Sequence, residues 1–539
     1  MDLSSGNQYT TYSPYEVNST SSDENAKPIN YYGYYGKQIK KTYNLSFNAY
    51  AQYIKELGIN HFDIMAGYEW QHFHQDYDKT WLQTVPMSNT INPGAVFNEP
   101  TTETNYKAEY YLVSFFGRLN YTLADRYLLT FTLRDDGSSR FPKDNRWGLF
   151  PSAAFAWKIN EEGFLKNASW LSDAKLRLGW GITGQQEGIN YYDYLPTYTP
   201  NLSGAYYDLG LNSGSTYRPD GYNKDLTWEK TTTYNAGIDL GFANNRITLA
   251  VDWYYRKTTD LLNNVYVSAG SNFKNKQMTN IGSLHNTGIE FATTVRPIQT
   301  NDLRWELNYN FTYNHNEIDE LNAADNALTG DNIDASNQIK VNKEGKAADS
   351  FYPYMQVYDQ QGMPIFNLFV DRDGNGTLGS NDRYYYYKPT PDVTMGFGNK
   401  VIYKSWDFSF SMRASLGNYV FNNISRGFMD TSKGSVYQNE FLENRMVDLV
   451  PLKFQDATEQ RLSDYWIENA SFLKLDNITL GYSFSHLFDA NISGRVYGTV
   501  QNVWTWTKYS GLDPEINGGI DNNMYPRPFT TVLGLNLNF

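Results

Sequence analysis

The sequence predicts an all-β chain, an antiparallel transmembrane β-barrel with long extracellular loops. Three observations carry that reading. Apolar and polar residues alternate with a period of two about fifteen times, the pattern of strands with one apolar and one polar face. No run of about 18 apolar residues occurs, so no helix is expected to cross a membrane; mean hydropathy is −0.60. Aromatic residues still make up 17% of the chain, with 46 Tyr and 13 Trp, which suits the interfacial girdles of a barrel. A carbohydrate- or protein-binding surface would also use so many tyrosines, and the two readings are compatible.

The final stretch sets the reference strand. Leu533, Leu535, Leu537 and Phe539 alternate with Gly534, Asn536 and Asn538. An apolar strand left at an open edge invites pairing with other chains, but it is at home in a closed wall whose apolar face meets lipid. From the N-terminal side, the same alternation runs through Tyr43–Tyr53, Phe62–Trp70, Val113–Tyr121, Tyr127–Leu133, Leu149–Ile159 and Leu176–Ile182. It continues through Tyr234–Phe242, Ile247–Trp253, Ile289–Val295 and Leu303–Tyr313, then Val393–Phe397, Trp406–Met412, Ile478–Phe484 and Val496–Trp504. In these registers the apolar face carries no charge, while the other face holds residues such as Arg177, Asp239, Asp252, Arg304 and Glu306. A Lys or Arg facing mid-bilayer costs about 2–4 kcal/mol, so this segregation is what lipid would enforce. A soluble sheet also alternates, but it would need amphipathic helices or a second sheet to cover it, and no helix of useful length is legible. One register is imperfect: Lys474 and Asp476 share parity with Ile478, which implies a bulge or a strand already above the bilayer.

The connections supply an orientation. Short links follow Tyr53, Leu123, Phe242, Val295, Tyr403 and Phe484, and the link after Ile159 is expected to hold a helical turn at Phe164–Leu171. Longer links, roughly 71–109, 137–145, 183–227, 257–281, 317–390, 418–471 and 507–528, alternate with them. Outer-membrane barrels have short periplasmic turns and long extracellular loops; a periplasmic C-terminus puts every short link on that side.

Composition narrows the function. The net charge is −13 and no dense basic patch exists, so nucleic acid is not an expected partner. Cysteine is absent, which removes disulfides and thiolate metal sites. The start, Met1-Asp2-Leu3-Ser4-Ser5, has neither the charged nor the apolar region of an export signal, so an exported protein is expected to continue beyond this chain. No nucleophile elbow, P-loop or HExxH motif occurs. Asp135-Asp136 is expected in a solvated loop, and no catalysis is expected of the chain.

One motif suits a metal. Asp371-Arg372-Asp373-Gly374-Asn375-Gly376-Thr377 through Asp382 has calcium-loop spacing, with oxygen ligands at Asp371, Asp373, Asn375, Thr377 and Asp382 and Gly376 at the turn. Asp382 stands where Glu is usual, and the plainer alternative is an Asp/Gly-rich turn. His72 and His74 lie on one side of a strand, where a solvated strand end outweighs a metal site; His61, His285, His315 and His486 are scattered. Tyr191, Tyr192, Tyr194, Tyr206, Tyr207 and Tyr384 to Tyr387 offer ring faces to sugars or partners, or pack within loops.

Several segments resemble the SusC/RagA family of TonB-dependent outer-membrane transporters of Bacteroidetes. They are Arg134-Asp135-Asp136-Gly137-Ser138-Ser139-Arg140-Phe141, Trp147-Gly148-Leu149-Phe150-Pro151-Ser152 and Leu176-Arg177-Leu178-Gly179-Trp180-Gly181. Further along come Ser463-Asp464-Tyr465-Trp466-Ile467-Glu468-Asn469-Ala470-Ser471-Phe472-Leu473-Lys474-Leu475, Gln501-Asn502-Val503-Trp504, Tyr509-Ser510-Gly511-Leu512-Asp513-Pro514-Glu515 and the final Phe539. The resemblance implies a full-length barrel of about 22 strands with a plug inside and a SusD-like lipoprotein lid outside. It implies import of oligosaccharides or peptides driven by TonB–ExbB–ExbD. No plug or TonB box is legible in residues 1–539, so the chain looks like the C-terminal barrel portion of such a transporter. A passive porin-like channel or surface adhesin could use the same wall, and a secreted β-rich enzyme is the remaining alternative.

Overall fold

In a computed structural model, sixteen antiparallel strands form one continuous sheet in chain order. The structure describes residues 2–11, 34–84 and 97–538, apart from 166, 201–205, 209–212, 216, 220, 267–275, 322–326, 330–331, 335–336, 430–436, 439–440, 443–445, 486–491 and 523–524. Phe539 and His486 lie outside the described residues. The wall strands are β1 (Asp2–Thr11), β2 (Tyr34–Leu57), β3 (Asn60–Thr84), β4 (Phe97–Leu123), β5 (Tyr127–Ser138), β6 (Trp147–Lys158), β7 (Leu171–Gln185) and β8 (Glu229–Phe242). They continue as β9 (Ile247–Thr259), β10 (Ser283–Gln299), β11 (Leu303–Glu320), β12 (Val393–Tyr403), β13 (Trp406–Leu416), β14 (Phe472–Phe484), β15 (Ser493–Thr507) and β16 (Thr530–Asn538). All fifteen alternating segments are strands. The sixteenth, β1, had no legible alternation, because DLSSGNQYTT offers almost no apolar residues to alternate.

The register puts the apolar residues on one face. Tyr127, Trp157, Leu176, Ile238, Val251, Phe291, Phe311, Met395 and Ala414 stand directly opposite one another across nine strands. One residue along, on the other face, the row reads Arg177, Gly237, Asp252, Glu290, Thr312 and Thr394. The apolar face is uncovered: Leu533 is 84% exposed, Trp253 45% and Tyr313 41%. An apolar surface this continuous needs an apolar medium. Aromatic pairs mark both ends of the band: Trp170–Phe242 and Trp406–Tyr482 near the short turns, Phe115–Trp147 at the far end. From Leu303 to Tyr313 the strand runs about 33 Å, or about 25 Å of height once tilted by ~40°, which is the depth of a barrel's lipid band.

The links differ in two places from expectation. Most of 71–109 is strand, because β3 and β4 run 25 and 27 residues, far beyond the lipid band. Their distal halves stay paired, with register shifts only beyond Trp81, although the side that is apolar lower down now carries Asp76, Asp78, Lys107 and Glu109; above the lipid, alternation is no longer enforced, so the pattern fades while the ladder continues. The link after β6 holds a 3-10 turn at Ile159–Glu161 rather than a helical turn at Phe164–Leu171, and β7 already begins at Leu171. Asp135 and Asp136 lie within β5 rather than in a loop.

The lipid-facing assignment is testable on neighbouring residues. Leu307→Arg places a cation mid-band and should cost about 2–4 kcal/mol, whereas Asn308→Arg on the polar face should cost under about 1 kcal/mol. Urea unfolding in phospholipid vesicles, followed by heat-modifiable electrophoretic mobility, reads both; equal costs would remove the assignment.

Candidate functional site

The polar face of the wall is laced with ion pairs. Arg177 grips Asp239 (2.7 and 2.9 Å) and Asp252 (2.8 Å for both bonds) across β7, β8 and β9. Arg134 bonds Glu69 at 2.8 Å and Asp136 at 2.7 Å, Arg296 bonds Glu306 at 2.8 Å, and Arg495 bonds Asp407 at 2.8 Å. In each of these pairs a guanidinium answers a carboxylate, and such charge-assisted bonds are the strong ones.

At the end of the wall away from the short turns, the irregular register of β14 becomes useful. A bulge at Asp476 shifts the pairing with both β13 and β15. The bulge returns Ile478 and Leu480 to the apolar face while leaving Lys474 and Asp476 on the polar one. Arg413 then meets Asp476 at 2.9 Å. Lys474 is only 6% exposed, and its ammonium bonds Asp513 at 2.8 Å and Glu515 at 2.6 Å. Glu515 also accepts bonds from Arg413 and Arg527. Burial alone would raise the Glu515 carboxyl; the bonds from Arg413 and Lys474 outweigh it and hold its pKa at about 2.

Above this hub the three C-terminal long links pack into one roof. Their core joins Ile339, Phe351, Phe421, Phe454, Trp466 and Ile520, all buried. Polar seams tie the links together: the Gln356 amide N–H donates to Asp464 at 3.0 Å, and Lys340 donates to the Gly518 carbonyl at 3.0 Å. The motifs that carry the family resemblance therefore have structural duties. Trp466 donates its indole N–H to the Gln460 carbonyl at 2.8 Å, Glu468 accepts from the Ser510 hydroxyl at 2.8 Å, and Phe141 is fully buried against Trp228.

Between roof and wall lies a cleft of about 620 Å³, lined by Asn310, Thr394 and Arg413 of the wall and Pro389, Glu515 and Arg527 of the links. Beside the roof core stand the tyrosines. Tyr384 donates to Asp464 at 2.6 Å, and burial raises the pKa of both groups. Tyr387 stacks on Tyr419 with centroids 3.7 Å apart, and Tyr386 meets both edge-on. Tyr387 keeps 48% of its surface exposed. Sequence reasoning singled out Tyr384 to Tyr387 but missed Tyr419, Arg413, Lys474 and Glu515 as parts of one site. The off-register Lys474 was the only signal, and it needed a partner to interpret.

The Asp371–Asp382 loop extends from this tyrosine cluster, with Arg372 5.0 Å over the Tyr384 ring. Carboxylate atoms of Asp371, Asp373 and Asp382 lie within 4.8 Å of one another. Gly374 and Gly376 take left-handed conformations (φ +71° and +76°) that only glycine adopts freely. Asp371 accepts the Gly374 and Gly376 amides at 2.8 Å each, and Asn375 accepts Thr377 N–H at 2.7 Å. Buried Asp382 accepts Gly379 and Arg372 N–H at 2.7 Å each, and these bonds lower its pKa. Of the other loop tyrosines, Tyr191 packs under Arg140 with Tyr110, Tyr192 is 42% exposed, and Tyr194 is half-buried; the side chains of Tyr206 and Tyr207 lie outside the described residues.

Residues 2–343 match the family described as TonB dependent receptor-like, beta-barrel. Over its whole length the chain is 50% identical to TonB-dependent receptor SusC of Bacteroides thetaiotaomicron, covering 53% of that protein. It is 31% identical over 93% of its length to TonB-dependent receptor P3 of Formosa agariphila, covering 53% of that protein. The chain thus spans about half the length of these relatives. Among solved structures, that of the RagAB peptide transporter superposes with a TM-score of 0.80 at 24% identity, covering all of this chain and 59% of that one.

The hub makes two predictions. Lys474→Met leaves Asp513 and Glu515 short of a cation and should destabilise the roof by about 3 kcal/mol, the low end for a broken buried pair because Arg413 and Arg527 remain. Glu515 should stabilise the protein fully above pH 4.5, its ordinary carboxyl value, and lose that contribution as pH falls toward about 2. Denaturation curves of native protein and Glu515→Gln, read by tryptophan fluorescence, should therefore differ at pH 7 and converge near pH 2; a constant gap would contradict the assignment.

Proposed function

The chain belongs to the TonB dependent receptor-like β-barrel family, a family of the outer membrane, and on that premise we propose that it is the C-terminal barrel portion of a SusC-like importer. The carrying observation is the two-faced wall: uncovered apolar residues outside, paired charges inside, and a polar cleft beneath a folded roof. In this reading the barrel walls the solute path, the inner face meets plug and solute, and the roof bears the substrate and a SusD-like lipoprotein lid. The remaining part of a full-length member supplies the plug, the contact with TonB–ExbB–ExbD and further strands. Those strands would join the wall at β1 and β16, each of which pairs with one neighbour among the described residues. The C-terminus faces the periplasm, because the short turns share one end of the wall with β16's last residues.

The cargo class is an oligosaccharide or a peptide. Exposed tyrosines on the links, among them Tyr192, Tyr217, Tyr222 and Tyr387, present ring faces suited to sugars. RagAB, which shares the fold, is a peptide transporter. Uptake of labelled oligosaccharides and of labelled peptides by cells carrying the full-length protein separates the two. Abolition by loss of TonB supports an importer; TonB-independent flux would mean a passive porin-like channel.

Calcium ordering of the Asp371–Asp382 loop belongs to the same proposal. Asp371, Asp373, Asn375, Thr377 and Asp382 are its ligands, and three converging carboxylates in a loop beside the tyrosines support it. Calorimetry should register calcium binding that Asp373→Ala weakens at least about tenfold. No heat, or heat indifferent to the substitution, would leave the loop as an Asp/Gly-rich turn.

A further inference from the structure

Four of the six histidines occupy one band of the wall. His72 and His74 follow Trp70 on the lipid-facing side of β3. His315 follows Tyr313 on the same side of β11, and His285 stands nearby on β10. The band begins where the apolar face ends and headgroups replace hydrocarbon. An imidazole at this height is neither in oil nor at the solute path, and the import function gives it no duty.

The first pair has the geometry of a metal site. The Glu109 Oε2 atom lies 3.0 Å from His72 Nε2 and 3.6 Å from His74 Nδ1. Ligands held about 2.0–2.1 Å from a zinc ion at tetrahedral angles stand about 3.4 Å apart; both histidine–glutamate spacings are close to that, and donor atoms of all three residues lie within 4.8 Å of one another. The other nitrogen of His74, Nε2, lies 3.1 Å from Asp76 Oδ1. A carboxylate on the far nitrogen is the arrangement that fixes the tautomer of a metal-binding histidine. With its proton directed at Asp76, His74 turns the lone pair of Nδ1 toward the Glu109 carboxylate. Two acceptors then face each other, and a cation between them removes the conflict. The His72 ring is held by Tyr111, stacked at 4.2 Å and 5°.

We propose that His72, His74 and Glu109 bind a divalent transition-metal ion of the zinc type, stapling β3 to β4 where the two strands leave the membrane. Imidazole with carboxylate suits zinc, nickel or copper rather than calcium or magnesium. In the second group, His285 lies 2.5 Å from Asp319 and His315 3.3 Å from Glu317. Donor atoms of His285, His315 and Glu317 also lie within 4.8 Å of one another, so that group is the control for zinc held elsewhere on the wall.

The test is the zinc content of the detergent-solubilised chain after equilibrium dialysis near neutral pH. The double variant His72→Ala, His74→Ala should hold one zinc fewer than the native protein, and Glu109→Gln should lose the same equivalent with both rings kept. His285→Ala should retain it. Asp76→Asn should weaken zinc binding about tenfold through the misoriented His74 ring. Heat-modifiable mobility confirms that each variant is folded. Equal zinc in native protein and Glu109→Gln would overturn the proposal, as would no zinc on the native protein.

Discussion

Lipid offers no hydrogen bonds, and that one constraint organises the chain. Every backbone N–H and C=O at membrane depth must pair with a neighbouring strand, so the wall is a single ladder from β1 to β16. The same constraint acts on side chains. With period two, each strand must give every second residue to lipid, and each charge must fall on the alternate set. Arg177, Asp239 and Asp252 can sit mid-strand only because they share the inner face and saturate one another there. The inner face is thereby stiff as well as polar, since each guanidinium spans strands that the backbone already joins.

The place where the ladder departs from its period shows what the departure is for. Strict alternation through β14 would point Lys474 and Asp476 at lipid or force Ile478 and Leu480 inward. The bulge at Asp476 avoids both. It also sets Lys474 beneath the link that carries Asp513 and Glu515, so a defect in the wall becomes the anchor of the roof. Two segments far apart in the chain, the one around Trp466 and Lys474 and the one around Asp513 and Glu515, thus form a single structural unit. That unit closes the cleft on one side and seats the tyrosines on the other.

The long links are a folded layer, not a fringe. Three of them share one core around Trp466 and Phe454, and the Asp371–Asp382 loop projects from that layer on a buried Asp382. A roof with its own core can hold aromatic groups at fixed spacing over the cleft, which free loops cannot. The distal halves of β2, β3 and β4 do the equivalent on the other side of the wall by continuing the ladder past the lipid.

Within the lipid band, the amino-acid sequence alone determined the strands, their faces and the alternation of short and long links, because the bilayer penalises every misplaced charge and so writes its period into the residues. It also placed Asp371, Asp373, Asn375, Thr377 and Asp382 in one loop, since that spacing is local. Above the band the penalty disappears, and with it the legibility. The extension of β3 and β4, the strand setting of Asp135 and Asp136, and the pairing of Lys474 with Glu515 were decided by contacts between residues distant in the chain. His72 and His74 could be seen to share a face; only the tertiary structure could bring Glu109 and Asp76 to them, because a strand's partner is chosen by the whole ladder and not by its own residues.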